Sequence, residues 1–177
     1  MRRYQYLATD ATIDALRRLR GPWAGYLTTG KSLVVALADG GAVRVHVEGA
    51  GVEPDFEAYR LSAEATAAPT EPLTPAGAFG AGRNDLVVCR SETWIGAPGV
   101  SAGDGAGPDA VVQFTGSARQ RSDSATAACT VDDALVVATG AGTGMLVRCG
   151  LQPYALEVTT DSAAVARFLT ERGYGAG

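Results

Sequence analysis

The chain has 177 residues, of which 46% are hydrophobic and 19% charged, and its formal net charge is −4. This length fits one domain or two small ones, and the apolar content argues against wholesale disorder. The negative charge gives no long-range attraction to nucleic acid or anionic membranes, so we expect neither as a partner. Fourteen Arg against one Lys, with abundant Ala and Gly, indicates a bacterial-like, GC-rich coding composition. Arginine usage is therefore weak evidence for function.

The N-terminus lacks the pattern of a targeting signal or membrane anchor. Arg2 and Arg3 lead into Thr9 and Asp10 rather than an apolar stretch. No apolar run approaches the roughly 18–20 residues that a membrane span needs. Three cysteines without CxxC spacing and a single histidine do not make up a zinc-ligand set. We therefore expect reduced thiols, a cytoplasmic location and no cofactor.

The first predicted element is a short helix over residues 10–20. A β-hairpin follows over residues 33–47, folded at Asp39-Gly40, a dipeptide that is typical of tight hairpin turns. Its returning strand alternates valines with polar residues, which indicates one buried and one solvated face. After Pro54, residues 56–61 predict a further strand.

The composition changes at residue 62. Residues 62–85 are rich in Ala, Pro and Thr and predict a linker or a long surface loop. Residues 86–95 then predict a strand. A second hairpin pattern covers residues 135–149, followed by Pro153 and one more strand-like segment. The last predicted element is a helix over residues 161–172, capped by an aspartate and ended by a glycine.

The pattern of hairpin, proline and strand thus occurs twice. It predicts an α+β fold, mainly antiparallel β, with an N-terminal and a C-terminal helix. The predicted units are residues 1–61, the linker 62–85 and residues 86–177, with a core shared by the two halves left open. The repeated pattern has two interpretations, an internal duplication or two hairpins that resemble each other, and the sequence leaves both open.

A nucleotide-binding motif lies before the first hairpin. Gly25, Gly30, Lys31 and Ser32 fit the pattern GxxxxGK[ST], in which backbone amides wrap phosphates at the head of a helix. The residues after Ser32 are β-branched and soon reach the predicted hairpin turn, so no helix is expected there. We favour a turn that enters the hairpin. A small P-loop-type enzyme that binds nucleotide or phosphate is the alternative.

A second glycine-rich loop, residues 139–146, resembles the TGxxxGxG loop of short-chain dehydrogenases. Leu146 stands where that family has its last glycine, which allows close packing of helix on strand. Pro153 also leaves no room for the helix that should follow. We therefore predict a hairpin turn at this position as well.

The remaining candidates for chemistry are weaker. His46, the single histidine, falls on the polar strand face with Arg44 and Glu48, which favours a solvated face over a catalytic base. The acidic run of Glu53, Asp55 and Glu57 lacks the turn glycine of a calcium loop and is predicted to be surface charge.

Trp94, Arg90, Arg119 and Arg121 are the residues most typical of a binding interface, because Trp and Arg are enriched in binding hot spots. The leading hypothesis is a non-enzymatic binding or protein-interaction module with these residues on its surface. Its partner would be another protein or a small ligand, and self-association along a sheet edge is a further option.

Overall fold

The computed structural model describes residues 1–96 and 125–173, and these form a β-rich α+β fold. In chain order the elements are β1 (Arg2–Tyr6), α1 (Asp10–Arg17), β2 (Trp23–Thr28), β3 (Ser32–Leu37), β4 (Ala42–Glu53), β5 (Phe56–Thr66), β6 (Thr74–Pro75), β7 (Asn84–Gly96), β8 (Ala125–Thr139), β9 (Gly144–Cys149), β10 (Leu156–Thr159) and α2 (Ser162–Glu171). The predicted fold class, mainly antiparallel β with helices, is confirmed. None of the helices in these two ranges is long and apolar enough to cross a bilayer.

The first sheet is antiparallel throughout, in the order β5-β4-β3-β2-β6. Its centre contains the first predicted hairpin, in which Val35 pairs with Val43 across the Asp39-Gly40 turn. Gly40 has a φ of +91°, which glycine adopts without steric cost. Alternate valines of β4 lie in the core, as the period of two requires.

The second sheet is built around β8, the longest strand. β7 pairs antiparallel along one edge of β8. The other edge is shared, because β9 pairs with residues 134–138 and β1 pairs in parallel with residues 127–131. β10 extends the sheet beyond β9. The parallel strand β1 was not predicted, since three of its five residues, Arg2, Arg3 and Gln5, are polar and hide any strand period.

Both sheets contribute to one large core. It contains buried side chains from each predicted half of the chain, including Leu33 and Val45 from the first sheet and Leu135, Val137 and Met145 from the second. The hydrogen bond from Leu156 N to Gly30 O, 2.8 Å, also joins β10 to the β2–β3 turn. The two hairpin patterns therefore meet across a common apolar interior.

The segment 62–85 begins in regular structure, because β5 continues to Thr66. It then contains β6 and a 3₁₀ turn whose Phe79 stacks on Trp23 with ring centroids 4.7 Å apart. Asn84, 1% exposed, points its side-chain amide at three carbonyl oxygens, those of Leu19, Gly21 and Phe79, at 3.0–3.3 Å. These contacts join the segment to the chain around α1 and β2.

α2 packs on the second sheet from the side opposite the large core. The Asp161 carboxylate accepts a hydrogen bond from Ala164 N at 2.8 Å, which satisfies one of the free amides at the helix start. Val165 and Phe168 pack against a smaller apolar cluster on β7, β8 and β9 that includes Cys89 and Val136. Burial of an aromatic side chain of this size stabilises by about 1.5–3 kcal/mol.

Candidate interaction surface

The two halves of β8 have different surroundings. In residues 134–138 both faces are buried: Leu135 and Val137 lie in the large core, and Ala134 and Val136 lie under α2. In residues 127–131 one face, with Ala127, Cys129 and Val131, packs against the tip of the β4–β5 hairpin. The other face carries Ala128 and Thr130 and lies outside these apolar clusters. The sequence-predicted Trp94 lies on this second face.

Three side chains form a patch over Ala128, and we call Trp94, Arg3 and Glu92 the Trp94 patch. Trp94 and Arg3 are the cross-strand partners of Ala128 on its two sides. The Arg3 guanidinium lies 5.8 Å from the Trp94 ring centroid, and its Nη1 lies 3.3 Å from Glu92 Oε1. The side chain of Arg3 is 61% exposed and that of Glu92 is 34% exposed. Trp94 is half-buried, so it is held in place yet partly accessible.

A buried carboxylate holds Arg90 next to this patch. Arg90 Nε donates to Asp132 Oδ1 at 2.8 Å, and Asp132 Oδ2 accepts from Ala8 N at 2.9 Å. The Asp132 side chain is 5% exposed and that of Arg90 is 52% exposed. Asp132 therefore holds the guanidinium of Arg90, while about half of the arginine side chain stays exposed.

The adjacent carboxylate, Asp133, connects β7 to Arg172, the residue that follows α2. Asp133 accepts two hydrogen bonds from Arg172, 2.8 and 3.2 Å, and a third from the Ser91 hydroxyl, 3.0 Å. Arg172 also donates to the carbonyl oxygen of Arg90 at 3.3 Å. These charge-assisted bonds hold β7 in place at Arg90 and Ser91.

The structure thus places Trp94 and Arg90 on the same strand, β7, four residues apart, whereas Arg119 and Arg121 lie outside the described residues. Sequence reasoning missed Arg3 because only the parallel pairing of β1 with β8 places it beside Trp94. Asp132 carried a readable signal, since a carboxylate between apolar runs of a strand needs a partner when buried.

The GxxxxGK[ST] motif forms the turn of the β2–β3 hairpin. Gly25 lies in β2, where an added Cβ would come within 2.9 Å of Leu73 Cβ, so the close approach of β6 explains this glycine. Gly30 has a φ of +75° in the turn. Ser32 begins β3, and its hydroxyl lies 3.0 Å from that of Thr29. A strand follows the motif, where a phosphate-binding loop has a helix.

The second glycine-rich loop is the β8–β9 turn. Thr139 N donates to Thr143 O at 2.8 Å, and Gly142 has a φ of +82°. Ala134 pairs with Arg148, so Cys149 lies one residue beyond the last pair of this hairpin. The three cysteines are free thiols.

His46 lies on β4 with a serine on each side, since Ser32 and Ser62 are its cross-strand partners. Its Nε2 lies 3.7 Å from Glu48 Oε1, and its buried Nδ1 has no hydrogen-bond partner in the described part of the chain. The hydroxyl of Ser32 is engaged with Thr29 instead. The imidazole is therefore near a carboxylate and two hydroxyls without the nucleophile–base hydrogen bond of a catalytic pair.

Across residues 1–96 and 125–173, no group of three or more His, Cys, Asp or Glu side chains is placed to hold a metal ion. Comparisons of the chain with protein-family models, with curated proteins and with solved structures found no match in any of the three.

Proposed function

We propose that this protein is a non-enzymatic, cytoplasmic binding module and that the Trp94 patch contacts its partner. The observation that carries the proposal is the half-buried Trp94 ring beside an arginine that is ion-paired to Glu92. Trp and Arg dominate binding hot spots because they combine large contact area with directional polar groups.

The contacts beneath the patch support the same proposal. A side chain held in its bound conformation before association loses less conformational entropy on binding. Trp94 sits on a strand paired along β8, and Arg90 is fixed by the 5% exposed Asp132. The patch is therefore organised in advance, and a protein or small ligand with an apolar centre and paired charges would fit it.

The two sheets also bear on the hypothesis of internal duplication. Strands β3, β4 and β5 form one antiparallel meander, and β8, β9 and β10 form another. Each has its proline, Pro54 or Pro153, before the third strand. We propose a duplication of this three-stranded unit as the origin of the repeated sequence pattern.

The test is quantitative capture of partners on the immobilised protein. Trp94→Ala should lose most of the captured partner, and Arg119→Ala should weaken capture. Both variants should stay folded, with the thermal unfolding midpoint of the wild type. Val87→Ala is the matched control because Val87 is also on β7 and 37% exposed but lies away from the patch, opposite Val136. If Trp94→Ala and Arg119→Ala both capture the partner as well as the wild type does, the proposed surface is not the contact surface. Sedimentation of the purified protein separates self-association from capture of another molecule.

A ligand screen distinguishes the alternative of a nucleotide-binding enzyme. Thermal unfolding is followed with magnesium–ATP, magnesium–GTP and NAD(P). A ligand at 100 times its dissociation constant stabilises by about 2.7 kcal/mol, which raises the midpoint of a chain this size by roughly 5–10 °C. Such a rise, lost in Lys31→Ala, would favour the enzyme. An unchanged midpoint fits the hairpin turn that contains Lys31 and leads directly into β3.

A further inference from the structure

A second cluster of aromatic residues lies where the β9–β10 turn meets the β4–β5 hairpin. Tyr154, 47% exposed, comes from the turn, and the half-buried Tyr59 comes from β5. Their rings are 5.4 Å apart between centroids and nearly perpendicular, at 85°. The two rings contact each other edge to face, and each leaves part of its aromatic surface accessible at the same place on the protein.

A carboxylate lies between the two tyrosine hydroxyls. Tyr154 Oη donates to Glu57 Oε1 at 2.9 Å, and the Tyr59 hydroxyl donates to Glu57 Oε2. These bonds to Glu57 raise the pKa of Tyr59 to about 12, so the hydroxyl stays protonated at neutral pH. No Lys, Arg or His nitrogen of the described residues lies within 4.0 Å of Glu57, which leaves its negative charge without a cationic partner there.

The backbone is shaped to hold this arrangement. Ala155 N donates to Gln152 O at 3.0 Å, so Pro153 and Tyr154 are the central residues of a turn. Tyr154 has a φ of +58° and is the one non-glycine residue with positive φ in the described chain. Turns that need a positive φ at this position usually have glycine there. A strained tyrosine in its place indicates that the side chain has a role.

Gly49 makes room for the cluster from the opposite strand. Gly49 lies in β4 and pairs with Tyr59 of β5. A Cβ at this position would lie 2.6 Å from Glu57 Oε1 and 3.0 Å from Tyr154 Oη. Any larger residue would displace the carboxylate or the ring, so the glycine permits the geometry.

We propose that Tyr59, Tyr154 and Glu57 bind a quaternary ammonium group, as carried by choline or a trimethylated lysine. Such a cation has no N–H to donate, so it is recognised by aromatic faces and by negative charge. Glu57 suits this task, because its oxygens already accept two tyrosine hydrogen bonds while its charge remains available. Each oxygen of Glu57 already accepts one hydrogen bond, so fewer acceptor positions remain for the three N–H groups of a primary ammonium.

The test is a titration of the full-length protein with choline chloride, followed by backbone amide NMR at constant ionic strength. The Gly49, Glu57 and Tyr154 signals should shift and saturate in the millimolar range. The neutral isostere 3,3-dimethylbutan-1-ol should give no saturable shift at these residues, because the cation is the recognised feature. Trimethyl-lysine amide is titrated in parallel to show whether a lysine-borne group is also accepted.

Three variants separate the contributions. Tyr154→Gly removes the ring and relieves the positive φ, so it should stay folded and weaken choline binding at least about five-fold. Glu57→Gln should weaken it similarly, whereas Tyr154→Phe keeps the ring and should retain most of the affinity. The proposal is overturned if choline gives no saturable shift at these residues, if Tyr154→Gly binds as well as the wild type, or if the neutral isostere binds equally.

Discussion

The two halves of β8 belong to one continuous strand but differ in how their two faces are covered. Residues 134–138 are covered on both faces, by the large core and by α2. Residues 127–131 are covered by an apolar cluster on one face only, and the other carries the Trp94 patch. Pairing with neighbouring strands is continuous along both halves, so backbone hydrogen bonding does not distinguish them. The two halves differ instead in the side chains on one face of the strand.

The border between the halves is a pair of carboxylates. Asp132 holds Arg90 and the chain before α1, and Asp133 holds Arg172 at the end of α2. The register of β7 with β8 shifts at this point. We therefore expect the covered half to contribute most of the stability, and we propose that the half with the Trp94 patch contacts the partner.

The largest effect is expected in the covered half. Phe168, 6% exposed, packs with Val165 against the face of β8 that contains Val136. Phe168→Ala should lower the free energy of unfolding by about 3–5 kcal/mol, because it removes buried area and leaves a cavity. Urea unfolding at 25 °C measures this loss. A loss under about 1 kcal/mol would show that α2 contributes little to the stability of β8.

An intermediate effect is expected at the border. Arg172→Ala leaves Asp133, whose side chain is 16% exposed, without its charged partner. A buried carboxylate that loses its charge-assisted bonds destabilises by about 2–3 kcal/mol. The urea concentration at the unfolding midpoint should fall, while the slope of the free energy of unfolding against urea concentration stays unchanged. An unchanged midpoint would mean that the pair does not connect α2 to the sheet energetically.

The smallest effect on stability is expected in the patch. Arg3→Ala removes an ion pair with Glu92 whose arginine is 61% exposed. Solvent screens such a pair, so the expected loss is about 0.2–1 kcal/mol and should shrink further in high salt. The same unfolding experiment, run at low and high ionic strength, measures it. A loss as large as that of Arg172→Ala would contradict the division between the halves.

Local signals explain which parts of the fold were predictable. The Asp39-Gly40 turn and the glycines near Gly142 marked both hairpins, because tight turns demand positive φ. The strand β1 and the first half of β8 were not predicted. The latter is rich in alanine, which has low β-propensity, and β1 gains its place only through parallel pairing with a residue range more than 120 positions away.

The residues of the candidate site also fall into two groups, those that the sequence indicated and those that it did not. Trp94 and Arg90 were identified by residue type alone. Arg3 and Asp132 act through partners that are distant in sequence. The position of Asp132 between apolar runs indicates that it needs a partner, but no local pattern shows which residue that partner is. The tyrosine pair was likewise invisible, since Tyr59 and Tyr154 meet only because both sheets share one core. Residue type thus predicts which side chains can act, and tertiary pairing decides which of them meet.

The measurement that tests the central claim most directly is capture of partners by wild type, Trp94→Ala and Val87→Ala, compared on samples of equal thermal stability. Loss of a hot-spot tryptophan removes about 2 kcal/mol or more of binding free energy, equivalent to roughly thirty-fold in affinity. The expected result is that Trp94→Ala loses the partner that both other samples retain. Equal capture by all three samples would contradict the assignment of recognition to the Trp94 patch.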